Sequence, residues 1–187
     1  MYTAPRFSLR TKLLIAAVLV AFGVLSRLLP HAWNMTPVTA IALFAGAYLG
    51  RRAAFLLPLA VLFISDAVIG FYAAPIMFAV YGSFALIGVM GSRWCVTGNF
   101  RLMLPASISS SLFFFFTTNW AVWQFGTMYA HDASGLLQSY MMALPFLRNM
   151  LAGDLFYTTV LFGSCAIALR LLNCRAVFRG VTFRRAV

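Results

Sequence analysis

Asp66, Asp132 and Asp154 are the only acidic residues in a chain of 187, set against fourteen basic ones. Charged residues make up 9% of the sequence and hydrophobic ones 63%. A water-soluble domain of this size needs about a quarter of its residues charged to cover its surface. A chain with so little polar surface to spend must present its outside to lipid, and the fold class expected is an all-α membrane protein.

The apolar residues gather into six runs, each bounded by basic, glycine or proline residues. They predict helices over residues 13–29, 37–49, 53–71, 75–91, 104–125 and 149–172, which together form one transmembrane domain, 1–187. A helix of about twenty residues crosses a 30 Å hydrocarbon core, and the run 37–49 is short against that measure. Residues 126–148 are too polar at their start to span. Their second half, 134–147, is expected to form a short interfacial helix before the last span.

The basic residues give the orientation. With the N-terminus inside, Arg6, Arg10, Lys12, Arg51, Arg52, Arg93, Arg101, Arg170, Arg175, Arg179, Arg184 and Arg185 fall on the cytoplasmic side, leaving only Arg27 and Arg148 at the outer ends of helices. Twelve against two predicts cytoplasmic termini in a bacterial inner membrane. A net charge of +11 would suggest nucleic acid in a soluble chain. Here the positive charges are spread over loops and ends, so no nucleic-acid partner is expected. Arg6, Arg10, Lys12 and the triplet Ala21-Phe22-Gly23 also describe a cleavable signal peptide. The apolar run continues through Val24 and Leu25 to Leu29, so the first helix is expected to remain.

Polar side chains at membrane depth are costly and normally face a bundle interior or a cavity. Asn34 and Thr36 open the second run, Ser65 and Asp66 sit in the outer third of the third, and Thr117, Thr118 and Asn119 lie near the outer end of the fifth. Arg148, Asn149 and Asp154 start the sixth. The inner halves read as more apolar, which places a substrate pocket at the outer face. Asn34, Thr36, Asp66, Tyr81, Asn119, Trp123, Tyr140, Arg148, Asn149 and Asp154 are its candidate binding residues. Asp66 and Asp154 could equally be structural, paired with Arg27 or Arg148. Trp120 and Trp123 stand three apart beside Asn119, whereas most other boundary aromatics fit an interfacial belt.

The remaining chemistry is sparse. Cys95, Cys165 and Cys174 show no metal-binding spacing, and their number leaves no full set of pairs. His31 and His131 fall in outer loops, where an imidazole could meet a metal carried by a ligand. No hydrolase, zinc-protease or nucleotide-binding motif is present, so no catalytic residue and no intrinsic cofactor is expected. Ala17 and Ala21, four apart on the first helix, form a small-residue face suited to close helix contact.

Several stretches carry a family resemblance: residues 34–48 (NMTPVTAIALFAGAY), 65–71 (SDAVIGF), 80–87 (VYGSFALI), 118–123 (TNWAVW), 144–146 (LPF) and 153–157 (GDLFY). With a six-helix bundle and cytoplasmic ends, they resemble the substrate-binding S components of energy-coupling-factor (ECF) vitamin transporters, and most specifically the BtuM-type cobalamin transporters. The resemblance implies a membrane-embedded protein that binds and translocates a vitamin, with cobalamin or a related corrinoid as transported ligand. It also implies a coupling subunit docked at Ala17 and Ala21, and ATPases supplied by other chains. The family's cobalt-ligating cysteine has no counterpart near the outer pocket, which leaves His31 as the candidate cobalt ligand, or a different substrate. An S component for another micronutrient, or a membrane scaffold of the cell-shape type, are the alternatives.

Overall fold

The computed structural model describes residues 7–30, 32–94 and 100–178; His31 and Cys95 lie outside them. Among the described residues the chain is all helical: α1 (Leu9–Leu28), α2 (Val38–Phe44) running into a π-helical turn (Ala45–Leu49), α3 (Arg51–Ile69), α4 (Ala74–Trp94), α5 (Phe100–Phe125) and α6 (Ala133–Phe178). The ends of α1 and α3 and the start of α4 meet at Arg27, Asp66 and Tyr81, and this is the distal end of the bundle.

Local chemistry sets the boundaries. The Ser8 hydroxyl accepts from the Thr11 backbone N–H at 3.2 Å and caps α1. Gly50 has φ 103°, and its N–H donates to the Ala45 carbonyl five residues back, closing the π turn before α3 begins at Arg51. Gly70, with φ 116°, ends α3 in the same left-handed region that only glycine enters freely.

The stretch from Val38 to Leu49 is the axis of the bundle, because every residue in it is buried. Its small residues let neighbouring backbones approach. A Cβ on Gly46 would lie 2.5 Å from the Ser92 nitrogen, and one on Gly91 would lie 2.8 Å from Leu43 Cα. A Cβ on Gly88 would come within 2.0 Å of the Ala54 carbonyl oxygen, so α3 and α4 also meet backbone to backbone. Close contact of this kind stabilises helix pairs in lipid, where no hydrophobic force separates helix from solvent. Around this axis Ile41, Leu43, Phe44, Val61, Leu62, Ile87 and Phe162 form the core, while Leu14, Phe55, Phe63, Phe78, Phe116 and Phe156 face outward.

Four helices are long and apolar enough to cross a membrane: α1, α3, α4 and α6. Apolar helices of this length on a carboxylate-poor chain make it a membrane protein. Two of the six expected spans differ from that pattern. α2 and its π turn are short, seven and five residues. α5 has 26 residues but carries Ser107, Ser109, Ser110, Ser111, Thr117, Thr118 and Asn119, which lower its hydropathy.

The expected separate interfacial helix over 134–147 is not separate. α6 runs from Ala133 through Pro145 to Phe178 without a break in helical structure, 46 residues or about 69 Å of helix. It does change direction. Ser111 faces Asp154 and Ser107 faces Thr158 across the α5–α6 contact, a register that carried on straight would put Tyr140 opposite Phe125. Tyr140 instead donates its hydroxyl to the Phe116 carbonyl at 3.0 Å. The segment before Pro145 therefore leans off the line of the rest, as expected where proline removes a helix hydrogen bond.

Candidate functional site

The last turns of α1 and α3 bring Arg27 and Asp66 together at the distal end. Arg27 Nη2 donates to Asp66 Oδ1 in an ion pair, and Tyr81 Oη from α4 donates to Asp66 Oδ2 at 2.9 Å. Asp66 is 1% exposed, so these two partners are what hold its charge in place of water. Arg27 keeps one donor unused: its Nε is buried and has no hydrogen-bond partner among the described residues.

The loop between α1 and α2 lies over this end. Asn34 adopts φ 61°, a left-handed conformation that asparagine tolerates better than most residues, and the Met35 N–H closes the turn on the Ala32 carbonyl at 2.9 Å. Trp33 stacks on Phe146 of α6, centroids 5.4 Å apart and planes within 9°. Gly153 gives the loop its seat, because a Cβ there would lie 2.7 Å from Met35 Cγ.

Beneath the loop is a hollow of about 190 Å³. Arg27, Asn34, Thr36, Thr39 and Asp154 supply its polar lining, and Ile69, Val80, Phe84, Phe114 and Met150 its apolar wall. Asp154 is 2% exposed; Ser111 Oγ shares a hydrogen bond with its Oδ2 at 2.6 Å, and Thr39 also hydrogen-bonds its carboxyl. Each of the helices α1 to α6 contributes to the lining. Its chemistry is that of a small binding site: one cationic donor, one carboxyl, an amide and two hydroxyls around an apolar slot.

Of the residues singled out from the sequence, Asn34, Thr36 and Asp154 line the hollow, and Asp66 and Tyr81 reach it through Arg27. Five others are engaged or placed elsewhere. Asn119 donates its side-chain amide to the Phe115 carbonyl of its own helix at 2.7 Å. Trp123 Nε1 donates to the Ala130 carbonyl at 2.9 Å, and its ring meets His131 edge-on, so both hold the α5–α6 loop. Tyr140 packs against Phe115 and Phe116. Arg148 is exposed and Asn149 half-buried, and neither lines the hollow. His31 lies outside the described residues, among which no group of three or more His, Cys, Asp or Glu could hold a metal ion.

Sequence reasoning underused Arg27 and missed Thr39, Ser107, Ser111 and Thr158. The signal was spacing: Ser107 and Ser111, like Asp154 and Thr158, stand one helical turn apart and so share a face. Polar groups therefore reach deeper than the apolar reading of the inner halves implied. Outside the membrane-spanning helices, Asp132 immediately precedes α6. The Gly135 N–H at 2.7 Å and Ser134 hydroxyl at 2.9 Å bond to its carboxylate and hold it below the usual carboxylate range.

A second concavity lies outside the bundle. Ala17 and Ala21, with Ala16, Val20, Val24, Leu25 and Ile64, line an open, almost wholly apolar groove of about 640 Å³ along α1.

Residues 7–176 match the model of a family of unknown function, DUF6580. No curated protein matches the chain, and no solved structure does.

Proposed function

The chain belongs to DUF6580, a family of unknown function, and within it we propose a membrane-embedded protein that binds a micronutrient in the distal hollow and carries it across the bacterial inner membrane. In this reading all six helical elements count as passes, the basic ends face the cytoplasm and the distal end faces the periplasm. The observation that carries it is the hollow itself. A cavity with a buried arginine donor and a buried carboxyl is expensive inside a membrane protein, and intramembrane charges mark solute pathways.

The volume narrows the solute. About 190 Å³ is below the range for a drug-sized ligand. A compact polar vitamin or precursor that offers a carbonyl or ring nitrogen to Arg27 Nε suits it. Cobalamin, to which the sequence resemblance points, is larger than the whole hollow and would require the α1–α2 loop to lift from α6. The S-component reading draws support from α1, of whose apolar window only 11% is buried within the chain. The groove at Ala17 and Ala21 on that helix is the surface it offers to a coupling subunit, with ATPases attached in turn.

Melting temperatures of the full-length chain in lipid nanodiscs, measured against a panel of water-soluble vitamins and cobalamin, test the proposal. One solute should raise the melting temperature. Arg27→Met should weaken its binding about ten- to a hundredfold, the loss of a hydrogen bond from a charged group, and Thr36→Trp should block it by filling the hollow. A panel without effect, or binding that ignores both substitutions, would rule the hollow out.

A further inference from the structure

Asp154 is the buried carboxyl that solute binding does not by itself explain. Asp66 has a cation beside it, whereas Asp154 has only hydroxyls: the one ion pair among the described residues is Arg27–Asp66. The elements packed against this part of α6 bring no other charge to it. α2 and its π turn contain a single titratable residue, Tyr48, nine positions beyond Thr39 and packed on Phe162. α5 contains only Arg101, ten positions before Ser111. Across the hollow, α1 offers Arg27, α3 Asp66 and α4 Tyr81, and both Arg27 and Tyr81 are bonded to Asp66.

The hydroxyl contacts around Asp154 leave a place for a proton on its carboxyl. Ser111 Oγ lies 2.6 Å from Asp154 Oδ2 and 3.1 Å from the Ser107 carbonyl, both in donor geometry. A hydroxyl has one proton and can serve one of these acceptors at a time. Both contacts are satisfied together when Oδ2 carries a proton and donates it to Ser111 Oγ, leaving the Ser111 proton for the Ser107 carbonyl. Thr158 Oγ1 extends the chain of hydroxyls one turn deeper, 3.3 Å from Ser107 Oγ. Beyond it Phe44, Met103 and Phe162 close the bundle with apolar side chains. The polar run is open at the hollow and shut towards the proximal end.

We propose that Asp154 is a proton-binding site that makes transport through this bundle proton-linked. The carboxylic acid is held against Ser111 while the hollow is closed. When the hollow opens, the O–H bond at Oδ2 breaks, the proton passes to water there, and the carboxylate keeps the electron pair. The link to transport rests on the reading of the hollow as a solute site; the proton site does not, because its ligand is the proton.

Infrared difference spectroscopy of the full-length chain in nanodiscs, titrated with acid and base, is the test. At neutral pH, where an ordinary aspartate is ionised, the wild type should show a carboxylic-acid C=O stretch that disappears in Asp154→Asn. It should shift upward in frequency in Ser111→Ala, which removes the acceptor but keeps the carboxyl. Base should abolish the band, and Thr36→Trp, which fills the hollow, should slow its loss. If the neutral-pH spectra of wild type and Asp154→Asn coincide in this region, or if Asp154→Asn fails to fold and the band is unmoved in Ser111→Ala, the proton site is wrong. Either result leaves the vitamin panel, read by melting temperature, to stand or fall separately.

Discussion

Replacing Arg27 with methionine isolates the ion pair that anchors the distal site. The substitution keeps an unbranched apolar stem and removes the guanidinium, so Asp66, 1% exposed, retains only the Tyr81 hydroxyl at 2.9 Å. Stranding one partner of a buried pair costs about 3 to 5 kcal/mol. Asp66 stands three residues from the last residue of α3, about 4.5 Å along the axis, so water can reach it more readily than at mid-bundle. The lower figure, about 3 kcal/mol, is therefore expected. Asp66→Asn should cost less, since the amide still meets Tyr81 and the arginine side chain is 20% exposed. The double variant should be more stable than the sum of the two losses by about 2 kcal/mol, within the range for residues in direct contact. Reversible unfolding in mixed micelles, followed by circular dichroism for all four proteins, gives the cycle. Additivity to within about 0.5 kcal/mol would mean that Arg27 and Asp66 do not hold each other, and the assembly of the distal site would have to be rebuilt.

Other expectations follow from local geometry. Gly88→Ala should destabilise the bundle by about 1 to 3 kcal/mol or prevent folding, because its Cβ would strike the Ala54 carbonyl, whereas Gly82→Ala meets nothing within 4 Å and should stabilise α4 by up to about 1 kcal/mol; unfolding of the pair in micelles decides. Tyr140→Phe should cost about 1 kcal/mol through the lost bond to Phe116, and should leave solute affinity unchanged because Tyr140 lies off the hollow. The carboxylate of Asp132 is held below its unfolded value. Its contribution to the start of α6 is therefore fully present above pH of about 4 and is lost as pH falls through the folded value. The protection of the Gly135 and Leu136 amides against hydrogen exchange, relative to their intrinsic rates at each pH, should fall in acid, and Asp132→Asn should flatten that dependence.

The sequence reveals the bundle more clearly than the site, for a physical reason. Apolar runs and their breakers are local, so residues 53–71 and 75–91 fall close to α3 (Arg51–Ile69) and α4 (Ala74–Trp94). Where the reading strays, tertiary structure decides. The polar start of 126–148 hides that α6 begins at Ala133 and passes through Pro145 as one helix. The carboxylates were legible as buried because each is an expensive exception on an apolar face. Their partners were not legible, because Arg27 and Asp66 are 39 residues apart, and Ser111 and Asp154 are 43 apart. Asn119 shows the converse. A helical asparagine can satisfy its amide on the carbonyl one turn back, and depth alone does not distinguish that from a ligand contact.

The most direct measurement of the central claim is labelling of a single cysteine at the mouth of the hollow, Asn34→Cys with Cys95, Cys165 and Cys174 changed to serine, by a membrane-impermeant maleimide. On intact spheroplasts the reagent should label this site from the periplasm, and the vitamin that raises the melting temperature should slow that labelling. Reaction only from the cytoplasmic side of inverted vesicles, or a rate unaffected by every solute, would contradict a periplasm-facing solute site.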